Sequence, residues 1–389
     1  MRIERSNWEQ RTLGEFFDLQ MGKTPSRKDL SLWEDGDTPW VSISDMKESR
    51  YISDTKEHLP YQTIAECRIP IIPVGTVIMS FKLTIGKTCI VSKPLTTNEA
   101  IMAFYPKKGI EVNSSFLAYA LSALKWKGNR AVKGVTINKK TISEKNFSLP
   151  PIGLQDNIAA ELDAIQEVID GYKDQIADLD ALAQSIFLET FGDPISNPKG
   201  WKTELISKFG RIVTGNTPSR AISDYYNSQD IEWIKTDNIV KDLLTPTTAY
   251  EYLSFEGAKK GRIVKSGSIL ICCIAGSLQS IGRCCLTDRS LAFNQQINAI
   301  KCDVNHIPLF VYCLIKASQQ LLIDTASTGM KHILSKSDLS SICLPVPPLE
   351  LQQQFANKIA SIEQQKDLLR QQLADAEMLM AERMQYYFS

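Results

Sequence analysis

The hexapeptide Gly22-Lys23-Thr24-Pro25-Ser26-Arg27 returns 193 residues later as Gly215-Asn216-Thr217-Pro218-Ser219-Arg220. Trp8 and Trp40 reappear at the same offset as Trp201 and Trp233. Unlinked features at one spacing mean that the chain contains one unit twice. Any fold must therefore build two similar bodies, not a single large core or a solenoid of short repeats. The echo continues with small shifts in the loops. Pro73-Val74-Gly75-Thr76-Val77-Ile78 answers Val264 to Leu270, and Thr97-Asn98-Glu99-Ala100-Ile101 answers Phe293-Asn294-Gln295-Gln296-Ile297. Leu149-Pro150-Pro151-Ile152 answers Val346-Pro347-Pro348-Leu349, followed by Gln155 and Gln352.

Each unit has two textures. The first reads as mixed strands and turns: Val74 to Ser80 and Ile269 to Ile274 are apolar, partly β-branched runs of strand length. Phe116 to Leu124 and Leu309 to Lys316 read as short amphipathic helices. The second texture changes period. Ile158, Leu162, Ile165, Ile169, Tyr172, Ile176, Leu179, Leu182 and Ile186 step by 4, 3, 4, 3, 4, 3, 3 and 4, a heptad seam. Phe355, Ile359, Ile362, Leu369, Leu373, Ala376, Met380 and Met384 repeat it, with Lys366 breaking the stripe. Pro151 and Pro348 stand at the entries, where proline is tolerated, and Gly192-Asp193-Pro194 closes the first helix. A helix from Leu154 to Thr190 would be about 55 Å long at roughly 1.5 Å per residue. Each stripe is too narrow for a globular core and too long to leave in water, so the two helices are expected to pack on each other. The expected fold is mixed α/β (α+β): two mixed α/β domains joined by two long antiparallel helices in an intramolecular coiled coil, with pseudo-twofold symmetry. The expected boundaries are residues 1–150, helix 151–192, residues 193–346 and helix 347–389.

Charge does little to narrow the function. Lys+Arg and Asp+Glu balance at 44 each, so only a local patch offers an anion site. Residues 125–145 are such a patch, with Lys125, Lys127, Arg130, Lys133, Lys139, Lys140 and Lys145 against Glu144. The nine cysteines include no CxxC pair. Cys272-Cys273 and Cys284-Cys285 would alternate faces on strands, which points to reduced buried thiols and not a zinc site. The polar start Met1 to Gln10 lacks a signal-peptide core, and no apolar run is long enough to span a bilayer. A cytoplasmic protein without membrane partners is expected.

Over essentially its whole length, the sequence resembles the DNA specificity subunits of type I restriction–modification systems. Three marks carry the likeness. One is the Gly-x-Thr-Pro-Ser-Arg turn leading to an aromatic strand, Thr38-Pro39-Trp40-Val41-Ser42-Ile43 and Ile231-Glu232-Trp233-Ile234-Lys235-Thr236. The second is the glycine-bearing loop Lys133-Gly134-Val135-Thr136 and Thr328-Gly329-Met330-Lys331. The third is the Pro-Pro-Ile/Leu entry to each helix. The family usually has Glu-Gln after the proline pair, where this chain has Leu154-Gln155 and Leu351-Gln352. The resemblance implies a chain that reads a bipartite double-stranded DNA target, one recognition domain per half-site, with the helices setting the gap. It also implies two modification subunits docked on the helices, methylating an adenine in each half-site, and a restriction and translocation subunit on the same core. S-adenosylmethionine would be held by the modification subunits, and this chain would need no cofactor.

Base readout needs donors and acceptors in the major groove, and phosphate contact needs cations, hydroxyls or backbone N–H groups. The motif turns supply Lys23, Thr24, Ser26 and Arg27, and Asn216, Thr217, Ser219 and Arg220. The alternative for them is a turn whose hydroxyls cap local backbone groups. The basic stretch adds Lys133, Thr136, Asn138, Lys139 and Lys140, with Lys331 in the second unit; the alternative is a solvated basic face. Lys82 and Lys87 flank Gly86 in an expected hairpin, and Arg283 follows Gly282 in the equivalent place. Asn294 and Gln295 could read adenine or, alternatively, bond nearby turns.

An enzyme reading finds little support. Adenine methyltransferases grip a flipped base with a Pro-Pro-aromatic loop, and neither Pro-Pro pair here precedes an aromatic residue. No glycine-rich cofactor loop follows a strand, and three histidines form no metal cluster. A purely protein-binding coiled-coil scaffold is the other class, but it leaves two matched polar-loop domains unexplained.

Overall fold

The computed structural model describes residues 5–47, 49–126, 129–131, 134–327 and 333–389; for 129–131, 134–136 and 327 only the backbone is described. The chain divides into two compact units, Met1–Tyr172 with Gln372–Ser389, and Lys173–Gln371.

In the first unit, Glu9–Thr12 pairs antiparallel with Asn146–Leu149. A five-stranded sheet then runs in the order Phe17–Met21, Ile101–Pro106, Val77–Ser80, Thr88–Val91, Tyr51–Ile52. Glu57–Leu59, Thr38–Val41 and Thr96–Thr97 form a separate three-stranded sheet. The second unit repeats the plan. Thr203–Leu205 pairs with Cys343–Pro345, and a four-stranded sheet runs Gly210–Thr214, Ile297–Cys302, Ser268–Cys272, Cys284–Leu286. Beside it lie Tyr252–Leu253, Ile231–Ile234, Leu291–Phe293 and Ile263–Val264.

Both main sheets are covered on both faces, which is why their strands read as continuous apolar runs. Val77, Met79 and Phe81 pack toward Phe116, Leu117, Ile158 and Leu162, while Ile78, Cys89 and Val91 pack toward Val41, Ile52 and Leu95. The paired cysteines obey the same alternation. Cys273 and Cys284 join the cluster around Phe310, and Cys272 and Cys285 the cluster around Phe293. Burial pushes the Cys272 thiol up to about 12 and that of Cys273 to about 11, far from thiolate chemistry at neutral pH.

The strands are shorter than the sequence runs. Val74 lies outside Val77–Ser80 and is largely exposed, because Gly75 turns the chain at φ 83°. The short helices are Ser114–Ala123 and Pro308–Ala317. The long helices are Ile152–Phe191 and Leu349–Phe388, 40 residues each, or about 60 Å. They pack antiparallel within each unit. In the first, Glu161 accepts from the Tyr387 hydroxyl and lies 2.8 Å from Arg383 Nε. In the second, Phe187 packs edge-on against Phe355 with centroids 5.7 Å apart.

Two seam positions differ from the pattern. Leu182 is 48% exposed, and Ala183 packs against the core in its place. Consecutive steps of three from Ile176 drift off a 3.6-residue face, and the step of four restores it. Lys366, read as a break in the stripe, lies inside the seam at 1% exposure. Among the described residues, no helix is long and apolar enough to cross a membrane.

Candidate functional site

The two motif turns are built alike, bond for bond. Gly22 N donates to Ile101 O (3.3 Å) and Lys23 N to Thr97 O (2.8 Å); Gly215 N donates to Ile297 O (3.0 Å) and Asn216 N to Phe293 O (3.0 Å). A Cβ on Gly22 would stand 2.1 Å from Thr97 O, and one on Gly215 2.1 Å from Asn294 O, so only glycine lets the turn press on the neighbouring backbone. The next carbonyl accepts an indole N–H: Trp40 Nε1 to Lys23 O at 3.1 Å, Trp233 Nε1 to Asn216 O at 3.2 Å. That residue's own side chain ties down a short helix, Lys23 Nζ to Cys67 O at 2.6 Å and Asn216 Nδ2 to Lys260 O at 2.8 Å. The threonine hydroxyl donates to Glu99 in one unit and to Gln295 in the other.

The arginines complete the corner. Arg27 grips Glu57 through both guanidinium nitrogens and lies 3.7 Å over the Trp33 ring and 4.8 Å from Trp40. Arg220 bonds Glu251, which also holds Lys235, and lies 4.5 Å over Tyr226 and 4.9 Å from Trp233. The motif recurs because it makes the same joint twice. Glu57 and Glu251 escaped the sequence reading; their only signal was near-equal spacing after each arginine.

The hydrogen bond from Arg27 holds the Glu57 carboxyl below the usual carboxylate range. Burial alone would raise Glu251, but the bonds from Lys235 and Arg220 outweigh it and bring it below as well. A carboxyl with a depressed folded value stabilises at pH above its unfolded value, about 4.3, and loses that contribution as pH falls through the folded value. Glu57→Gln is therefore expected to flatten the acid limb of the melting temperature between about pH 3 and 5. Thermal melts across that range check it; an unchanged acid limb would mean that the pair contributes nothing.

Other candidates are scattered. Strand pairing sets Lys82 opposite Thr136 in a sheet of Asn129–Ala131, Gly134–Thr136 and Lys82–Leu83. A cleft of about 490 Å³ beside Lys82 is lined also by Ser42, Ser44, Asn98 and Glu99. Lys87 is exposed, with Nζ 3.3 Å from Met46 O. Asn138 caps the helix Lys139–Ser143 by accepting from Thr141 N at 2.8 Å, which leaves Lys139 and Lys140 exposed on the first turn. Ser26 and Ser219 are exposed, and their carbonyls accept from Trp33 Nε1 and Ile222 N. Arg283 is half-buried with its Nε unpartnered, unlike the exposed Lys87 it answers. Asn294 is 5% exposed and spends its amide on Gln296, while Gln295 is exposed. Lys133 and Lys331 lie outside the described residues.

The glutamines after the proline pairs are working parts. Gln155 and Gln352 are each 1% exposed. Their amides donate to Pro150 O (2.8 Å) and Pro347 O (2.9 Å), and their oxygens accept from Asn113 N (2.9 Å) and Ile307 N (3.1 Å). Each locks a long helix to the loop before a short one. Either change to Leu is expected to cost about 2–3 kcal/mol by stranding buried backbone groups; chemical denaturation measures it, and a cost near zero would show water replacing the amide.

Comparison with known proteins follows the doubling. A family described as "Type I restriction modification DNA specificity domain" matches residues 5–180 and again 198–378. The type I restriction enzyme MjaIX specificity subunit of Methanocaldococcus jannaschii is 23% identical over 371 residues, 90% of this chain and 85% of that protein. The HindI specificity subunit of Haemophilus influenzae is 31% identical over 171 residues, 42% of this chain and 36% of that one. Among solved structures, the S subunit of the M. genitalium type I restriction-modification system superposes with a TM-score of 0.59 at 13% identity, covering 100% of this chain and 98% of that one. A chain from work on complex assembly and conformational transition of a type I R-M system gives 0.54 at 18% identity, covering 98% of each. These likenesses establish a shared fold.

Proposed function

Because the chain belongs to the type I restriction–modification DNA specificity family, matched twice along its length, we propose that each of its two units reads one half of a split duplex target. The observation that carries this reading is the doubled corner of Gly22 and Gly215, which positions polar loops of different composition on one shared frame. Shared bonds build the frame; the side chains that differ around it, such as Glu99 against Gln295, select different half-sites.

In this reading the exposed lysines 87, 139 and 140 hold phosphates, and side chains near the cleft beside Lys82 meet base edges. The long helices fix the gap between half-sites. Two modification subunits dock on those helices, bring S-adenosylmethionine and methylate one adenine per half-site; a restriction and translocation subunit joins the same core. The chain supplies recognition, takes no cofactor and acts in the cytoplasm.

The test is a map of methylated adenines made with the full chain and its modification subunits. Exchange of residues 1–150 for another recognition domain is expected to change one half of the motif and leave the other. Insertion of four residues after Gln166 lengthens the helix by about 6 Å, close to two base pairs, and is expected to widen the gap. Methylation indifferent to the exchange would reject the readout, an unchanged gap would reject the ruler, and methylation by this chain alone would restore the enzyme reading.

A further inference from the structure

Leu83 is an apolar side chain that folding gives no reason to expose. It is 58% exposed, and its backbone lies in the left-handed region at φ 64°, which residues bearing a Cβ enter at a cost. The turn is pinned from behind. The buried Ser80 donates its hydroxyl to Thr84 O at 2.5 Å and accepts from Lys87 N at 3.2 Å. Gly86 N donates to Ser80 O at 2.9 Å and Thr84 N to Lys82 O at 2.8 Å. Leu83 thus ends an edge strand, paired with Gly134–Thr136 and bracketed by Lys82 and Lys87.

Among the described residues, the corresponding turn of the second unit is built differently. There the bond from Gly282 N to Cys272 O (2.9 Å) closes a turn ten residues long in place of six, and Leu278 on it is only partly exposed. Strain, exposure and flanking cations therefore coincide at Leu83.

Resting on the reading of half-site recognition above, we propose that Leu83 contacts the 5-methyl group of a thymine in the half-site read by the first unit. That methyl is the one apolar mark on a base edge in the major groove, and an apolar side chain is what recognises it. Lys82 and Lys87 hold the adjoining phosphates and set the depth of approach.

The test uses the full chain assembled with its modification subunits, on duplexes carrying the mapped methylation target. Leu83→Ala keeps the same backbone strain and removes only the isopropyl group beyond Cβ. It is expected to weaken target binding about tenfold, to leave non-specific binding and the other half-site unchanged, and to be largely rescued by Leu83→Met. Deoxyuridine in place of each thymine removes only the methyl; at one position it should reproduce the loss in the wild type and add nothing to Leu83→Ala. Binding by Leu83→Ala equal to wild type overturns the proposal, as does a loss with no uracil-sensitive thymine. Failure of Leu83→Ala to assemble with the modification subunits also overturns it, by placing the leucine in a protein interface. A wild-type complex with no sequence preference would instead overturn the half-site reading itself.

Discussion

Replacing Lys366 with alanine is expected to destabilise the second unit by about 3–5 kcal/mol. The lysine is 1% exposed, and its Nζ lies 2.7 Å from Asp180 and 2.8 Å from Glu363. Lys316 and Arg370 stand farther off, 4.0 Å from Asp180 and Glu363 respectively. Without the ammonium, two carboxylates face each other in the helix seam, and Glu363 already has one buried oxygen unpartnered. Desolvated charge stripped of its nearest counter-ion is what makes the loss large; the intact cluster itself is close to neutral against an apolar seam. The triple variant Lys366→Met, Asp180→Asn, Glu363→Gln should therefore recover most of the loss. Denaturant unfolding of the three proteins decides it. Equal stability of Lys366→Ala and wild type would mean that water reaches the cluster. The recovered triple variant then isolates register: one charged step in an apolar stripe fixes how two helices align, so its methylated motifs are expected to show more than one gap length.

The repeat made the architecture legible before any coordinate. A hexapeptide returning with two tryptophans dictated two like units, and a three-and-four period dictated long packed helices, because both signals are local. What stayed hidden was side-chain partnership across loops. Arg27 and Arg220 offered guanidinium groups suited to bases or phosphates, yet their nearest partners are Glu57 and Glu251, 30 and 31 residues along the chain. Asn294 has the donor and acceptor of an adenine reader, but its turn buries it. Leu83 carries no sequence signal, since its conformation depends on Ser80 and Gly86 closing a turn around it. The seam failed at Leu182 for a metric reason, steps of three outrunning a 3.6-residue helix, and at Lys366 because a lone charge reads as exposed until its carboxylates are placed opposite. Phe187, Phe191 and Phe355, which pack against Phe310, show the reverse case: the heptad stripe stops at Ile186, while the helix end is fastened by aromatic rings one turn beyond it.

Alanine at Gly22 or Gly215 is expected to cost about 3 kcal/mol or more and to erase one half-site while sparing the other. The added Cβ would meet backbone at both sites: Thr97 O at 2.1 Å and Asn98 O at 2.4 Å in one unit, Asn294 O at 2.1 Å and Phe293 O at 2.5 Å in the other. A side chain can rotate away from such a contact, but a carbonyl inside a strand connection cannot. The turn must retract instead, and retraction lengthens the two backbone bonds and the indole bond that close the corner. Because Arg27 and Arg220 stack on the tryptophans held by those indole bonds, the polar loops lose their position along with the turn. Gly171→Ala supplies the control, since a Cβ there meets nothing within 4 Å on an ordinary helical backbone; it is expected to stabilise by about 0.5–1 kcal/mol. Thermal unfolding should thus give opposite signs for one chemical change within one unit, and methylation maps should show Gly22→Ala and Gly215→Ala losing complementary halves of the target. Melting of Gly22→Ala together with wild type would show that the corner yields freely, and the frame derived from it could not then hold the reading loops in place.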